Sequence, residues 1–510
     1  MDLVLVVGSG PTGMTMAIEL KRMGLDVRII DKASHMAKHS QALVVQARTL
    51  ELLQRYGIAG TAVERGRKLG KAKFTSEGKE LFRITLNQIP GRYPYVLFLP
   101  QNETEAILNE KMELLGVKTE REKELVSFTE DEGGVRAVLR DGKGKEETVR
   151  ARWMVGCDGA HSTVRTQAGI KFEGEGVALS FFLGDVEAEG PDVPDDELSI
   201  HLHKGDVVFM GRLTDRLTRV IVALHSKQGE AEEREISIED FQRAIDEAGV
   251  QVRVKSAEWM TPFRVNDLQA ARYREGGIFL AGDASHIHSP VGGQGMNTGM
   301  QDAANLAWKL AAVVRGGDER LLDSYYEERG AVGKALLRMT GTGLKMATSA
   351  NPAVEKVRDM LLPLLVGLHA VQREVAGFIS ETAIEYRGSS VVMDEGGDGA
   401  LRAGDRMPDF AVRYGASSLL KDWTDGRHLA VVLDGSDAEI EEVRAGLSEA
   451  RVVGLRSEGL DEEGKRVMGA KKKLVIVRPD GYVGYRGGLG DGWETYAAQD
   501  GVLRGRRELA

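Results

Sequence analysis

Short apolar runs alternate along the chain with segments in which apolar positions recur every three or four residues. The run at 3–7 is continuously apolar and rich in Val and Leu, which predicts a strand buried on both faces of a parallel sheet. Helical spacing follows over 14–23, and a second apolar run over 26–30 ends at Asp31. This order predicts a strand–helix–strand unit of the kind that builds parallel sheets.

Similar patterns continue through the next hundred residues. Helical spacing predicts helices over 47–55 and 103–115, and three strand-like stretches between 117 and 151 predict an antiparallel meander. A further buried run at 153–156 returns to the parallel-sheet pattern. We therefore expect an α/β layer with a small antiparallel addition over 1–171.

The pattern changes to alternating strand-like pieces between 172 and 268, with one helix at 238–248. These pieces are short and β-rich, which predicts a β-rich domain inserted into the α/β domain. They lie at 178–186, 198–202, 207–211 and 218–224.

The last part of the chain returns to α/β patterns. A strand of the parallel sheet is predicted at 278–281, and a long helix is predicted to begin near Gly299. Apolar residues at helical spacing continue to about 385. Glycines at 396–399 predict a linker, after which a separate α/β unit occupies 398–510.

The composition argues against several classes of protein. The 510 residues are 42% apolar and 29% charged, and the formal net charge of -10 disfavours a general nucleic-acid binder. Cys157 is the single cysteine, so the chain alone forms no disulfide and no cysteine-based metal site. The first residues lack a secretory pattern and no apolar stretch reaches the length of a membrane span, so we expect a cytoplasmic protein.

A glycine-rich turn follows the first predicted strand. Gly8-Ser-Gly-Pro-Thr-Gly13 matches G-x-G-x-x-G between a strand and a helix, the context that dinucleotide binding requires. Gly8 permits the tight turn, Gly10 lets a pyrophosphate approach the backbone, and Gly13 allows close helix–strand packing. Asp31 is placed to bind a ribose. The motif predicts a Rossmann-like domain that binds either FAD or NAD.

A second glycine-rich loop favours FAD. The strand at 278–281 ends at Gly282-Asp283, and Gly292-Gly-Gln-Gly295 precedes the helix that contains Asp302. Two helix N-termini would then face one site. Reduced flavin carries negative charge, which the positive end of a helix stabilises.

Three segments together resemble the single-component FAD-dependent aromatic hydroxylases of the p-hydroxybenzoate hydroxylase type, and more closely the polyketide and rifampicin-type monooxygenases. The segments are 8–13, 157–165 and 282–297, and Leu99-Pro-Gln-Asn-Glu-Thr-Glu105 is similar to a further family segment. The resemblance covers about 1–390. The tail is similar to the thioredoxin-like extension of many members.

This resemblance implies an α/β fold with three domains. They are a Rossmann-like three-layer FAD-binding domain with a helical extension, a β-rich substrate domain, and a thioredoxin-like domain without cysteines. Their expected bounds are 1–171 with 269–390, 172–268, and 398–510.

The resemblance also implies the residues that bind FAD and NAD(P)H. The ADP half of FAD would contact the first glycine turn and Asp31, Gln101 would contact the ribityl chain, and Asp283 would contact the ribityl or pyrophosphate region. The start of the second helix would lie beside the isoalloxazine, and Asp158 belongs to a segment associated with both cofactors. The expected set is Gly8, Gly10, Thr12, Gly13, Asp31, Lys32, Gln41, Arg48, Gln101, Leu125, Asp158, Asp283, Gly293, Gly295, Met296 and Asn297.

One segment departs from the family pattern. Where relatives usually place an Arg against the FAD phosphates, this chain has His39-Ser-Gln-Ala42. Gln41 is neutral and cannot neutralise a phosphate. Arg48 is the candidate to compensate.

The activity that the resemblance implies is hydroxylation of a phenolic or polycyclic, polyketide-like aromatic substrate by O2. NAD(P)H would reduce FAD, and a flavin C4a-hydroperoxide would transfer oxygen to the ring. Pro290 matches the family proline beside substrate and flavin, and His286 is a second candidate catalytic residue, with a structural hydrogen bond as its alternative. We expect no nucleic-acid or membrane partner, and a homodimer is a hypothesis. Candidates for the wall of the substrate pocket are Phe181, Phe182, Met210 and Met260.

Two other functions use the same cofactor. A flavin-dependent reductase or halogenase shares the fold, although the chain has no Trp-x-Trp-x-Ile segment. A non-catalytic flavin-binding scaffold is the second alternative, in which the cysteine-free tail would recruit a partner. This tail cannot exchange disulfides, so a docking or stabilising role is the expectation.

Two residue clusters imitate other kinds of site. His286, His288 and Asp283 offer three potential metal ligands on a loop assigned to flavin, so we predict no metal. Ser162 follows Asp158 and His161 but lacks the strand–turn–helix context of a hydrolase nucleophile. Cys157, at a predicted strand end, is expected to be a buried apolar residue.

Overall fold

A computed structural model describes residues 3–37, 42–86, 89, 91–224, 236–289, 292–366, 368–410, 418–420, 423–490 and 492–499. The strands in these ranges are β1 (Leu3–Val7), β2 (Asp26–Ile30), β3 (Val44–Val45), β4 (Arg67–Leu69), β5 (Lys71–Ser76), β6 (Lys79–Thr85), β7 (Val96–Phe98), β8 (Lys123–Asp131), β9 (Gly134–Asp141), β10 (Glu146–Ala151), β11 (Trp153–Gly156), β12 (Phe172–Glu189), β13 (Leu198–His203), β14 (Asp206–Arg212), β15 (Thr218–Leu224), β16 (Arg253–Ala270), β17 (Arg274–Glu275), β18 (Ile278–Leu280), β19 (His286–Ile287), β20 (Met393–Asp394), β21 (Leu429–Leu433), β22 (Arg451–Leu455), β23 (Lys473–Val477) and β24 (Val483–Gly487).

The helices in the same ranges are α1 (Pro11–Arg22), α2 (Ala47–Arg55), α3 (Ala59–Arg65), α4 (Gln101–Leu114), α5 (Thr163–Gln167), α6 (Ile238–Glu247), α7 (Gly295–Val314), α8 (Ala331–Ala347), α9 (Pro352–Val366), α10 (His369–Ile379), α11 (Asp437–Gly446), α12 (Glu462–Met468) and α13 (Gly492–Ala498). A π-helical turn at Tyr326–Gly330 precedes α8.

The first sheet has the strand order β17-β18-β11-β1-β2, in which all neighbours are parallel except β17 and β18. Residues Val4 to Val6 of β1 are fully buried, as the continuous apolar run predicts. Helix α1 packs against α7 and α4, and the antiparallel sheet β10-β9-β8 is the predicted meander. The α/β class is therefore confirmed, with the carboxyl ends of β1, β2 and β18 at one edge of the sheet.

The inserted sheet is larger than the β-rich segment that the sequence predicts. Its order is β19-β16-β12-β15-β14-β13-β5-β6, so the hairpin of β5 and β6 joins it from outside 172–268. Strand β5 pairs in parallel with β13, far along the chain, and no local pattern of hydrophobic residues reveals such a pairing. Strand β16, which the sequence analysis did not assign, pairs with β12 over most of its length.

The two faces of this sheet pack against different partners. One face packs against α6 in a small core that contains Met210 and also includes Phe182 and Met260. The opposite face joins the main core of the molecule through Phe181, which stacks on Phe263 with ring centroids 5.1 Å apart. Alternation along each strand turns Phe182, Met210 and Met260 away from the FAD-binding domain, which disfavours the expectation that they line the substrate pocket.

The C-terminal unit forms its own mixed sheet with the order β20-β24-β23-β21-β22. Strands β21 and β22 are parallel, whereas β23 is antiparallel to both β21 and β24. Helix α11 begins with a capping box between Ser436 and Glu439. The thioredoxin-like assignment of this unit stays a prediction.

None of the helices in the described part of the chain is both long and apolar enough for a bilayer crossing.

Candidate functional site

The turn between β1 and α1 is built from glycines for different steric reasons. Gly8 has a φ of +100°, and a Cβ placed on it would lie 2.3 Å from the Cys157 carbonyl oxygen. A Cβ on Gly13 would lie 1.9 Å from the Gly8 carbonyl oxygen. A Cβ on Gly10 would meet no atom within 4 Å, and no side chain caps α1. The turn therefore leaves open space and free N–H groups at a helix N-terminus, which suit a phosphate.

Asp31 lies beside this turn at the end of β2. Its Oδ2 accepts hydrogen bonds from the backbone N–H and the hydroxyl of Ser9, at 2.8 and 2.9 Å, and its Oδ1 accepts one from the N–H of Ala33 at 2.8 Å. The carboxylate is thus held in a fixed orientation and keeps 18% of its side chain exposed. Lys32, the next residue, is exposed.

The second glycine-rich segment meets α1 at Thr12. A Cβ on Gly282 would lie 2.6 Å from Thr12 Oγ1, and one on Gly299 would lie 2.4 Å from the same atom. Gly282 also has a φ of +63°, which favours glycine. The starts of α1 and α7 therefore converge, as the two glycine motifs predict.

Side-chain amides hold the loop that leads into α7. The Asn297 amide donates to the carbonyls of Val44 and Gly293, both at 2.8 Å, and its oxygen accepts from the Gln46 N–H at 2.9 Å. Gln46 in turn donates to the Gly292 carbonyl at 2.8 Å. The helix begins at Gly295, earlier than predicted, and no side chain caps its first turn. Its N-terminal N–H groups are therefore available to a ligand.

Two groups near this helix start are suited to bind a polar ligand. Asp283 reaches solvent, yet protein surrounds it so closely that desolvation raises the pKa of its carboxyl above the ordinary value, against the lowering effect of His286. His288 Nδ1 bonds the Ser289 carbonyl at 2.9 Å, while its buried Nε2 has no hydrogen-bond partner among the described residues. A Cβ on Gly295 would lie 3.7 Å from that nitrogen. A cofactor with hydroxyl and ring N–H groups fits these residues.

A buried ion-pair network surrounds His286, and sequence reasoning missed it. Asp302 Oδ2 bonds His286 Nε2 at 2.8 Å and accepts the Gly282 N–H at 3.0 Å, while its Oδ1 accepts from Arg329 Nε at 2.6 Å. Arg329 also donates to the Thr298 carbonyl at 3.1 Å. This geometry favours the structural alternative for His286. Arg329 lies in a π-helical turn that no local pattern marks.

Arg48 points to the C-terminal unit. Its guanidinium donates to Glu51 at 2.9 Å and to the Asp480 carbonyl, and it lies 5.0 Å from the ring centroid of Tyr482. This corrects the expectation that Arg48 compensates for a missing phosphate ligand, because every described contact of its guanidinium lies on α2 or on the C-terminal unit. Gln41 and Pro290 lie outside the described residues.

Three other predicted residues have defined local roles. Gln101 begins α4 and its amide donates to Glu105 at 2.9 Å. Leu125 is buried in the main core. Asp158 Oδ2 accepts the N–H groups of Thr163 and Val164, at 2.7 and 3.2 Å, so it caps α5.

The cluster around Ser162 has a structural explanation. Ser162 donates to Asp158 at 2.5 Å and caps α5, so these two residues stabilise a helix start. Cys157 is buried, and desolvation raises the pKa of its thiol well above the ordinary value. In the described ranges, no three His, Cys, Asp or Glu side chains gather as ligands for a metal ion.

Comparison with known proteins places this geometry among flavoenzymes. The family described as "FAD binding domain" matches residues 2–340. Pentachlorophenol 4-monooxygenase of Sphingobium chlorophenolicum is 32% identical over 528 residues, which cover 98% of this chain and 96% of that protein. The 6-methylpretetramide 4-monooxygenase of Streptomyces rimosus is 34% identical over 514 residues, with 95% and 90% covered.

Solved structures show the same likeness over the whole fold. The anhydrotetracycline hydroxylase OxyS from Streptomyces rimosus superposes with a TM-score of 0.82 at 30% sequence identity. The match covers 97% of this chain and 98% of that chain, so it includes the inserted sheet and the C-terminal unit.

Proposed function

This chain belongs to the FAD binding domain family and is an FAD-dependent aromatic monooxygenase, and from that premise we propose that it hydroxylates a polycyclic phenol. The electron donor is NAD(P)H, as is typical of the family. The names of relatives describe action on a chlorinated phenol and on tetracycline precursors. The observation that carries the proposal is the convergence of two uncapped helix starts around Thr12. Homodimer formation and a cytoplasmic location stay predictions.

Bound FAD, once reduced, supplies the activation of O2, and the protein binds and orients the cofactor. We assign the ADP half to Gly8, Gly10, Gly13 and Asp31, because the open space beside Gly10 lies at the start of α1. The positive end of α7 would stabilise the negative charge that the flavin ring carries when it is reduced. Residues 293–297 would therefore lie beside the isoalloxazine.

A matched pair of glycines tests the placement of the pyrophosphate. Gly10 and Gly60 both leave open space for a Cβ, and neither has a positive φ. We expect Gly10→Ala to weaken FAD binding about tenfold or more with little change in stability, since the added methyl occupies the space of a phosphate. Gly60→Ala, within α3, should leave FAD affinity unchanged. Equal dissociation constants for the two variants, measured by flavin fluorescence, would contradict the placement.

The substrate would lie against the face of the inserted sheet that joins the main core. Phe209 of β14 is half-buried on that face, between Ile200 of β13 and Ile221 of β15, and Phe74 and Phe263 lie on the same face. An apolar, partly aromatic wall is suited to a flat polycyclic ring system. It also excludes water from the reacting ring.

Neighbouring residues on opposite faces test this wall. Phe209 faces the main core, whereas Met210 packs against α6. We expect Phe209→Leu to raise KM or change the site of hydroxylation, and Met210→Leu to cost less than about 1.5 kcal/mol of stability without changing regiochemistry. A change of product caused by Met210→Leu and not by Phe209→Leu would place the substrate elsewhere.

The activity itself is tested with phenols of increasing size. We expect the purified yellow protein to oxidise NAD(P)H faster when a suitable phenol is present, with O2 uptake matched by hydroxylated product. NAD(P)H oxidation without ring hydroxylation for every phenol would favour the flavin-dependent reductase. A bound flavin that NAD(P)H does not reduce would favour the non-catalytic scaffold.

A further inference from the structure

A buried carboxyl group lies against the first turns of α7. Glu381, just after α10, is 2% exposed. Its Oε1 accepts a hydrogen bond from the Thr298 hydroxyl at 2.9 Å, and its Oε2 accepts one from the Gln301 amide. The backbone φ of Glu381 is +59°, a region that costs energy for a residue with a side chain. The surrounding structure therefore holds this carboxyl at α7 in spite of the backbone strain.

The charged groups around Glu381 are already paired with other partners. Asp302 of α7 and Arg329 of the π-helical turn bind each other at 2.6 Å. Arg406, which donates to the carbonyl of Thr382, forms an ion pair with Glu51. Within the described ranges, no Lys, Arg or His forms an ion pair with Glu381. Desolvation consequently raises the pKa of this carboxyl from 4.5 to about 8, although Thr298, Arg329 and Gln301 oppose the change.

A partner for the neutral form is present in the same place. Gln301 Oε1 is buried and has no hydrogen-bond partner among the described atoms. Half a turn of the Gln301 amide exchanges its oxygen and nitrogen, which lets a protonated Glu381 donate to that oxygen. The buried amide and the buried acid then satisfy each other. In this flipped orientation Gln301 gives up its 3.3 Å bond to the Asn297 carbonyl, and the pair then has the geometry of a carboxylic acid beside an amide oxygen.

We infer that Glu381 is a positioning residue that keeps its proton while the flavin is reduced, and so preserves the positive end of α7 beside the isoalloxazine. This inference rests on the proposed placement of the ring beside residues 293–297. An ionised Glu381 would add a negative charge next to the first two turns of α7 and oppose the charge of the reduced ring. Reduction at alkaline pH would then take up one proton from solvent at the Glu381 carboxylate. At neutral pH the proton is already there.

The first test is the reduction potential of the bound FAD as a function of pH. In the wild-type holoenzyme we expect an additional fall in potential above about pH 8, where the oxidised enzyme loses the Glu381 proton. Glu381→Gln, which mimics the neutral acid, should lack this fall and should match the wild type at about pH 6.5. Glu374→Gln changes an exposed carboxylate on α10, the helix just before Glu381, and should behave as the wild type. If plots of FAD reduction potential against pH run parallel for the wild type and Glu381→Gln between about pH 6 and about pH 10, the inference is overturned.

A second variant protects the test against misfolding of Glu381→Gln. Thr298→Val removes a hydrogen bond that lowers the pKa of Glu381. We therefore expect the additional fall in potential to move to higher pH in this variant. A fall that stays at the wild-type pH would overturn the inference in the same way.

Isotope-edited infrared spectra separate this inference from the placement of the ring. With labelled glutamate, the oxidised holoenzyme should show a carboxylic-acid band at neutral pH that is absent from Glu381→Gln, and reduction at about pH 9.5 should restore it. A carboxylate at neutral pH overturns the inference and leaves the ring placement standing. In another outcome, Glu381 titrates as a carboxylic acid with a raised pKa, but flavin reduction leaves its infrared band unchanged and its titration leaves the FAD potential unchanged. That outcome overturns the ring placement.

Discussion

Helix α7 begins among glycines and neutral amides and ends among buried charges. At its first turns, the neutral residues Asn297, Thr298 and Gln301 make hydrogen bonds to backbone groups or to Glu381. A fully buried charged cluster lies farther along the helix. It consists of Asn305, Trp308 and Lys309 of α7 together with Glu328, Arg478 and Asp480. One end of the helix is thus open to a ligand, and the other end is docked.

The buried cluster is complete in its hydrogen bonds. Glu328 binds Lys309 at 2.8 Å, Arg478 at 2.6 and 3.0 Å, and the Asn305 amide at 2.7 Å. Asp480 binds Arg478 at 2.6 Å and the Trp308 N–H at 3.2 Å. Burial raises the pKa of Glu328, but Arg478 and Lys309 outweigh it and hold the pKa below the ordinary range. The buried carboxylates are stable here because buried groups of opposite charge and hydrogen-bond donors compensate for their loss of hydration.

The difference teaches where an α/β flavoenzyme fold can place buried charges. Opposite charges that cancel can sit beside the far half of α7, because they leave the field at the helix start unchanged. Near the first turns, an uncompensated charge would act directly on the ring in the position that we propose for it. The cluster also joins the cysteine-free C-terminal unit, through Arg478 and Asp480, to α7. This contact supports the docking role that the absence of cysteines predicts.

The largest expected effect comes from breaking the docked end. Glu328→Gln leaves Arg478 and Lys309 without their shared carboxylate, and we expect a loss of about 3–5 kcal/mol of stability. Urea unfolding of the holoenzyme measures this loss. Glu327→Gln, its exposed neighbour, should change stability by less than about 1 kcal/mol. A small and equal effect of both variants would show that the cluster does not hold the C-terminal unit.

A smaller effect is expected where the two ends meet. Asp302→Asn keeps the volume but removes the ion pair with Arg329 and weakens the bonds to His286 and to the Gly282 N–H. We expect a loss of about 2–3 kcal/mol together with weaker FAD binding, because the loop after β18 loses its anchor. Asp323→Asn breaks only an exposed ion pair with Arg274 and should have little effect on either quantity. Unchanged FAD affinity in Asp302→Asn would show that the two ends are independent.

At the open end the expected effect on stability is spread over several pH units, and within any one of them it is the smallest of the three. In the folded protein, Glu381 keeps a proton that the same residue of the unfolded chain releases above about pH 4.5. Its contribution to stability is therefore complete at acidic pH and falls by about 1.4 kcal/mol per pH unit until about pH 8. The difference in unfolding free energy between wild type and Glu381→Gln isolates this slope. A difference that does not change with pH would mean that Glu381 is ionised in the folded protein.

Local patterns predicted much of the fold. Helix α2 and strand β15 have the predicted bounds, and β1, β2 and α1 lie where the apolar spacing places them. The start of α7 was predicted four residues too late, near Gly299, because the glycines at its beginning disguise the helical pattern. The convergence of the two glycine motifs was predictable, since each follows a parallel strand whose carboxyl end lies at the same edge.

Other features depend on partners that no local pattern identifies. The hairpin of β5 and β6 joins the inserted sheet, Arg48 turns to the C-terminal unit, and three of the four predicted pocket residues face α6. Glu381 and Arg329 carry no motif, and their importance comes only from what surrounds them.

The sequence alone thus determined the periodic elements, the cofactor and the edge of the sheet at which the two glycine motifs meet, because these depend on residues that are close neighbours along the chain. Only the tertiary structure decided which strands share a sheet, which face of that sheet a side chain occupies, and which buried charges find partners. Those outcomes depend on contacts between distant segments such as Asn305 and Asp480. The energy of a buried charge is set by all the groups packed around it, whatever their order in the chain.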